Sequence, residues 1–124
     1  MDYYPNVGKD LLTELINSDY AFLVLDFGVL SAQSIDDFYR CNRKFIIGSL
    51  APWKRDNFFH FLKKNITKNI KDSFYYLLQN GCKESAREFS KDANIPFYNL
   101  IFVPFLENPF HITNNEFSFL ERLL

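Results

Sequence analysis

Residues 21–28, AFLVLDFG, place a carboxylate directly after five apolar residues and a glycine two positions later. At the tip of a buried strand, such a carboxylate can contact Mg²⁺ or order a water, and a glycine behind it lets a loop approach a phosphate. A strand-terminal aspartate also forms ordinary turns, because its side chain bonds the backbone two residues on. Asp26 and Gly28 therefore have two interpretations, and on this pattern alone the turn is the commoner one.

A phosphate site of this kind needs a second part, the loop G-x-x-x-x-G-K-[ST] after an earlier strand. The sequence has one Gly-Lys pair, Gly8–Lys9; Asp10 follows it, and no glycine lies five residues before Gly8. We interpret the pair as a loop entering the first helix. Without backbone amides and a lysine for the phosphates, ATP hydrolysis by this chain alone is not expected.

The other reactive side chains show no catalytic or metal-binding spacing. His60 lies in an aromatic helical stretch, His111 follows a proline loop, and Cys41 and Cys82 are isolated. Metal sites and nucleophilic centres need several such groups at set spacings. We predict no catalytic residue and no metal site, and we take Trp53, with nearby aromatic residues, as a candidate for protein contact.

Composition restricts the class of protein further. The 124 residues are 48% hydrophobic, enough for one compact domain, and carry 14 basic and 15 acidic side chains. This balance gives no basic surface for nucleic acid, and no apolar run reaches the roughly 18 residues that a membrane span needs. Two isolated cysteines suggest reduced thiols. We expect a cytoplasmic protein that binds neither nucleic acid nor membrane.

Four apolar runs, each followed by a helix-like or loop segment, indicate the elements that position these residues. The runs are residues 21–25, 44–50, 73–80 and 98–105, and a short amphipathic helix precedes them. Near-continuous apolar strands separated by helices are typical of a parallel sheet covered on both faces. The sequence predicts one α/β domain over residues 1–124, a three-layer α/β/α sandwich with about four strands. Ligands in such sheets collect at the carboxyl ends, here Asp26, Ser49, Asn80 and Pro104.

The order of these segments resembles the second half of a ParA/MinD-type P-loop ATPase. DYAFLVLDFG (19–28) is similar to the family's Walker B strand and switch II, and RKFIIGSL (43–50) is similar to the strand that follows. YYLLQN (75–80) resembles the family's "gvVlN" strand, and IFVPFLENPF (101–110) resembles the closing strand and its loop. The likeness covers about residues 18–112 and implies a partial, P-loop-NTPase-like domain of a bacterial protein.

The resemblance implies specific roles. Asp26 becomes the Walker B carboxylate, Gly28 the switch II glycine and Asn80 the asparagine that contacts adenine, while Pro104 and Phe105 open the loop beside the base. Three features depart from the family: the Walker A half is missing, switch II is short, and Phe105 replaces a residue that is often polar. ATP and Mg²⁺ are expected as cofactors only if a missing N-terminal half supplies the phosphate loop.

The favoured hypothesis is a non-catalytic ParA/MinD-like partial ATPase domain that acts through protein contacts, with self-association or a protein partner. It could be a fragment of a longer ATPase. The alternative is a small α/β binding module of secretion, pilus or mobile-element machinery that takes no nucleotide. A receiver domain is disfavoured because the third run ends in Gln79–Asn80 rather than in a phosphorylatable aspartate. An enzyme using Asp26 with Asp36 or Asp37 is also disfavoured, since acids at a helix start are explained by the helix dipole.

Overall fold

A computed structural model describes residues 2–66, 73–105, 108 and 111–123. These residues form a mixed α/β structure with a three-stranded parallel sheet and five α-helices. The chain divides into two compact units, Met1–Arg40 and Cys41–Leu124. The sequence suggested one domain over the same length, and that suggestion remains a prediction.

The Met1–Arg40 unit contains two helices, α1 (Lys9–Ile16) and α2 (Ile35–Arg40). Helix α1 is the short amphipathic helix that the sequence predicts, and it buries Leu15. Helix α2 begins with two acidic residues, which suit the positive end of a helix dipole, and it buries Phe38. The Phe27 ring packs edge-to-face on Phe38 at a centroid distance of 5.8 Å.

Segment 21–25 does not form the buried first strand that the sequence predicts. It pairs with no strand in the described part of the chain, and Phe22 and Val24 are 66% and 85% exposed. A strand needs a neighbour for its backbone N–H and C=O groups, and the described residues of the Met1–Arg40 unit provide only helices and loops. The described sheet therefore has three strands rather than about four.

The Cys41–Leu124 unit holds the sheet, formed by β1 (Phe45–Ser49), β2 (Tyr75–Gln79) and β3 (Leu100–Phe102) in that order, with all neighbours parallel. Helix α3 (Pro52–Asn65) connects β1 to the segment before β2. Helix α4 (Lys83–Ala93) and a short 3₁₀ helix (Phe97–Asn99) connect β2 to β3. Helix α5 (Asn114–Leu123) follows β3, and a pocket is lined jointly by β3 and α5.

One face of the sheet forms the core. Buried residues at matching register positions make up this face, and they are Ile46, Tyr76, Leu78 and Leu100. Helices α3 and α4 cover it through Phe58 and Phe89, whose rings stack at 5.2 Å with an 8° interplanar angle. Burying such a ring contributes about 1.5–3 kcal/mol. Gly48 lies beneath Phe58, where a Cβ atom would come within 2.2 Å of the ring.

The opposite face of the sheet is more open. Ile47 is 67% exposed and Tyr75 is 38% exposed, although the rings of Phe45 and Tyr75 stack at 5.7 Å. The predicted third layer would have to cover this face. Among the described residues, no helix combines the length and apolar character that crossing a membrane requires.

Candidate functional site

The carboxyl ends of β2 and β3 border an open cavity of about 510 Å³. Its apolar lining comes from both strands, the 3₁₀ helix and the chain after β3, and consists of Leu78, Leu100, Phe102, Phe97 and Val103. Its polar lining comes from the turn into α4, through Asn80, Gly81 and Lys83. This is the edge at which open α/β sheets generally bind ligands.

The turn after β2 shapes the polar side of the cavity. Asn80 adopts a left-handed backbone conformation, with φ of 51°, which an asparagine tolerates better than most residues. Its Nδ2 donates to Ser49 Oγ at 3.4 Å, and that oxygen also accepts from the Ala51 amide at 3.3 Å. The ends of β1 and β2 are therefore linked through side chains.

Helix α4 begins beside the cavity with a reciprocal cap. The Cys82 amide donates to Ser85 Oγ at 3.0 Å, and the Ser85 amide donates to Cys82 Sγ at 3.5 Å. The bond from Glu84's own backbone amide, and then the bond from the Cys82 side chain, lower the pKa of the Glu84 carboxyl. The sequence interpretation treated Cys82 only as an isolated thiol. Residues 82–85, CKES, do not match the usual Ser/Thr-x-x-Glu/Gln capping signature, so local sequence did not signal this cap.

The described lining of the cavity contains few polar side chains. Lys83 is the one ionisable side chain among the described lining residues, and Asn80 supplies an amide. A paired nucleophile and base within hydrogen-bond reach is one common catalytic arrangement, and Lys83 has no such ionisable neighbour in the described lining. Among the described residues of the whole chain, no group of three His, Cys, Asp or Glu side chains could hold a metal ion.

The described lining of the cavity includes one of the predicted nucleotide-site residues. Asn80 lines the cavity. Pro104 follows β3 and is half-buried, and the next residue, Phe105, is 89% exposed. Neither Pro104 nor Phe105 belongs to the described lining. Asp26 and Gly28 lie in the Met1–Arg40 unit, where Asp26 Oδ1 accepts from the Gly28 amide at 2.8 Å and Gly28 has φ of 56°. This bond is the turn arrangement that the sequence offered beside the metal-site interpretation.

Trp53, the predicted contact residue, lies in the first turn of α3 and is 77% exposed. The sequence did not point to Lys83, Phe97, Phe102 or Val103 as lining residues. Their convergence depends on how the 3₁₀ helix turns and how the strands pack, and no local motif encodes either. The roles suggested for the predicted residues remain predictions.

Comparisons with known proteins identify no relative of this chain. The chain matches no protein-family model. Searches among curated proteins and solved structures give no significant match.

Proposed function

We propose that this chain is a non-catalytic α/β module that acts through protein contacts. The observation that carries the proposal is the outer edge of β1. That edge has no strand neighbour among the described residues, the strand itself carries no charge, and Ile47 at its centre is 67% exposed. An apolar, unprotected sheet edge favours pairing with another polypeptide.

The proposal includes an origin in the second half of a ParA/MinD-like ATPase domain. Its support is the three parallel strands in chain order, with Asn80 at the carboxyl end of β2. In this proposal, the strands belong to a P-loop-type sheet of about four strands, and Asp26, Gly28, Pro104 and Phe105 are remnants of a nucleotide site. The protein is cytoplasmic and bacterial.

The non-catalytic part of the proposal is supported by the chemistry of the chain. The sequence contains no G-x-x-x-x-G-K-[ST] loop, and Lys83 alone is ionisable in the described lining of the cavity. Backbone amides and a lysine are what hold the β- and γ-phosphates in this class of enzyme. The chain by itself therefore takes neither ATP nor Mg²⁺ as a cofactor.

Calorimetric titration tests this function. ATP with MgCl₂ is titrated into the full chain, and we expect no binding heat up to millimolar nucleotide. An Asn80→Ala variant is titrated in parallel, so that any weak heat can be assigned to the cavity or to nonspecific contact. Micromolar ATP affinity of the wild-type chain, lost in the variant, would refute the non-catalytic proposal.

The alternative function, a binding module without nucleotide, is favoured by the exposure of Trp53. An indole that is 77% exposed on the first turn of α3 is the type of side chain enriched in protein interfaces. A partner that binds there would shift Trp53 fluorescence to shorter wavelength. A Trp53→Ala variant would then bind the partner at least tenfold more weakly while keeping the wild-type circular dichroism spectrum.

A further inference from the structure

The free edge of β1 lacks the features that normally protect a sheet edge. Strand β1 pairs with β2 on one side, and no described strand lies on the other. Its five residues, Phe45–Ser49, include no lysine, no acidic residue and no proline. Natural edge strands usually carry such residues because they discourage pairing with other chains. The edge therefore provides hydrogen-bonding groups for an added strand.

Segment 21–25 has the properties of that added strand. It contains five apolar residues, as many positions as β1, and no charge. Within the single chain it pairs with no described strand, and it leaves Phe22 and Val24 largely exposed. The described residues thus include an unpaired apolar segment and, at β1, the longer of the two outer edges of the sheet.

Charges flanking the two segments favour this pairing over a pairing of β1 with β1 of another copy. Asp19 and Asp26 flank segment 21–25, whereas Arg43 and Lys44 precede β1. In an antiparallel register with Leu23 opposite Ile47, Asp26 lies opposite Lys44, and opposite charges at such positions stabilise a strand pair. Strand β1 could instead pair antiparallel with β1 of another copy, with Ile47 opposite Ile47. Lys44 would then lie opposite Leu50 and gain no charge partner.

The distribution of charge along the chain favours the same arrangement. Residues 1–40 carry two basic and seven acidic side chains, and residues 41–124 carry twelve basic and eight acidic ones. The segment therefore belongs to the acidic part of one copy and meets the basic part of another. Long-range attraction between unlike charges orients such encounters and raises their rate.

We propose that segment 21–25 of one copy adds antiparallel to the edge of β1 in a second copy, and that the exchange is reciprocal. The fourth strand expected from the sequence is thereby supplied by the partner copy. Leu23 packs against the exposed Ile47, and Leu25 packs against Phe45. A reciprocal exchange of this kind between two copies gives a closed two-fold dimer. This inference rests on the proposed function, because it names the protein contact.

Charge reversal on the full chain tests the pairing. Asp26→Lys and Lys44→Glu each place like charges opposite one another at both symmetric sites, so each should weaken the dimer about five- to twentyfold in sedimentation equilibrium. The double variant D26K/K44E restores the opposite pair and should return to within about threefold of the wild type. Lys54→Glu, an equal charge change on α3, is the control and should change dimerisation less than twofold.

A second measurement remains valid if a charge variant folds poorly. In chains with Cys41 and Cys82 replaced by serine, a Leu23→Cys chain is mixed with a differently sized Ile47→Cys chain and oxidised. A disulfide between chains of different size is expected. Pairing the Leu23→Cys chain with a Tyr98→Cys chain, whose thiol lies at a 77% exposed position outside β1, gives the background level.

Several results would overturn the pairing. The pairing is wrong if the wild-type chain stays monomeric at millimolar concentration. It is also wrong if both single charge reversals leave the dimer unaffected, or if the double variant shows no recovery of dimerisation. A cross-link no stronger than that of the Tyr98→Cys control would also overturn it. None of these results affects the expectation of no ATP binding, so the two proposals fail separately.

Discussion

Gly48→Ala tests the packing of the sheet against α3. A Cβ atom at this position would lie 2.2 to 2.5 Å from three carbon atoms of the Phe58 ring, far inside contact distance. The ring has little room to move, because Phe58 is 7% exposed and stacks on Phe89, which is fully buried. The added methyl group must therefore displace the ring pair or the strand.

The expected cost follows from these contacts. Overpacking a well-filled core costs about 1–3 kcal/mol, and the upper part of this range applies because two stacked rings must shift together. Replacing glycine by alanine also restricts the unfolded chain, which returns about 0.4–1 kcal/mol. The net destabilisation is about 2 kcal/mol, or a fall in melting temperature of about 8–16 °C for a unit of this size.

Thermal unfolding followed by circular dichroism measures this effect, with two comparison variants. Gln79→Ala changes an exposed residue of the neighbouring strand and should shift stability by less than about 0.5 kcal/mol. Phe58→Leu removes the atoms that the new methyl group would meet, so Gly48→Ala should cost less in that background than in the wild type. A Gly48→Ala protein that melts within 2 °C of the wild type would show that the ring does not lie over Gly48.

Three further changes test the helices. Arg55→Gln removes the ion pairs of α3 with Glu88 at 3.5 Å and with Asp92 at 2.9 Å. Urea unfolding should show that the free energy of unfolding falls by about 0.5–1 kcal/mol, and that the difference shrinks in 1 M NaCl. Asn94→Ala places alanine at φ 52° after α4 and should cost about 1 kcal/mol in urea unfolding, whereas Asn94→Gly should cost nothing. Glu84→Gln should lower the melting temperature at pH 7, because the pKa of the folded carboxyl is lowered, and the deficit should shrink as the pH falls below 4.5.

Helix α4 shows what local sequence can predict. The sequence predicts a helix over about residues 83–93, ended by Asn94 and kept from continuing by Pro96, and the structure has Lys83–Ala93 with Asn94 in a left-handed conformation. These signals lie within a few residues of one another, so no distant contact is needed to interpret them. Strands β1 and β2 were also predicted, as cores of longer apolar runs.

Segment 21–25 shows the limit of such prediction. An apolar run indicates that residues favour burial, but a strand forms only where a neighbouring strand accepts its hydrogen bonds. Prediction of the residues that line the cavity meets the same limit. Asn80 was predicted at its edge because it ends an apolar run, whereas Lys83 and Phe97 reach the cavity through turns whose geometry depends on tertiary packing.

The strands of the sheet follow one another in space in the order in which a ribosome makes them. Strand β2 pairs with β1, already synthesised, and β3 pairs with β2. Each connection carries a helix, and α3 packs on the strand that precedes it and on α4. A growing chain can therefore add one strand and one helix at a time to what has already emerged, without waiting for a distant partner. In the same order, neither β2 nor β3 covers the outer edge of β1, which has no strand neighbour among the described residues.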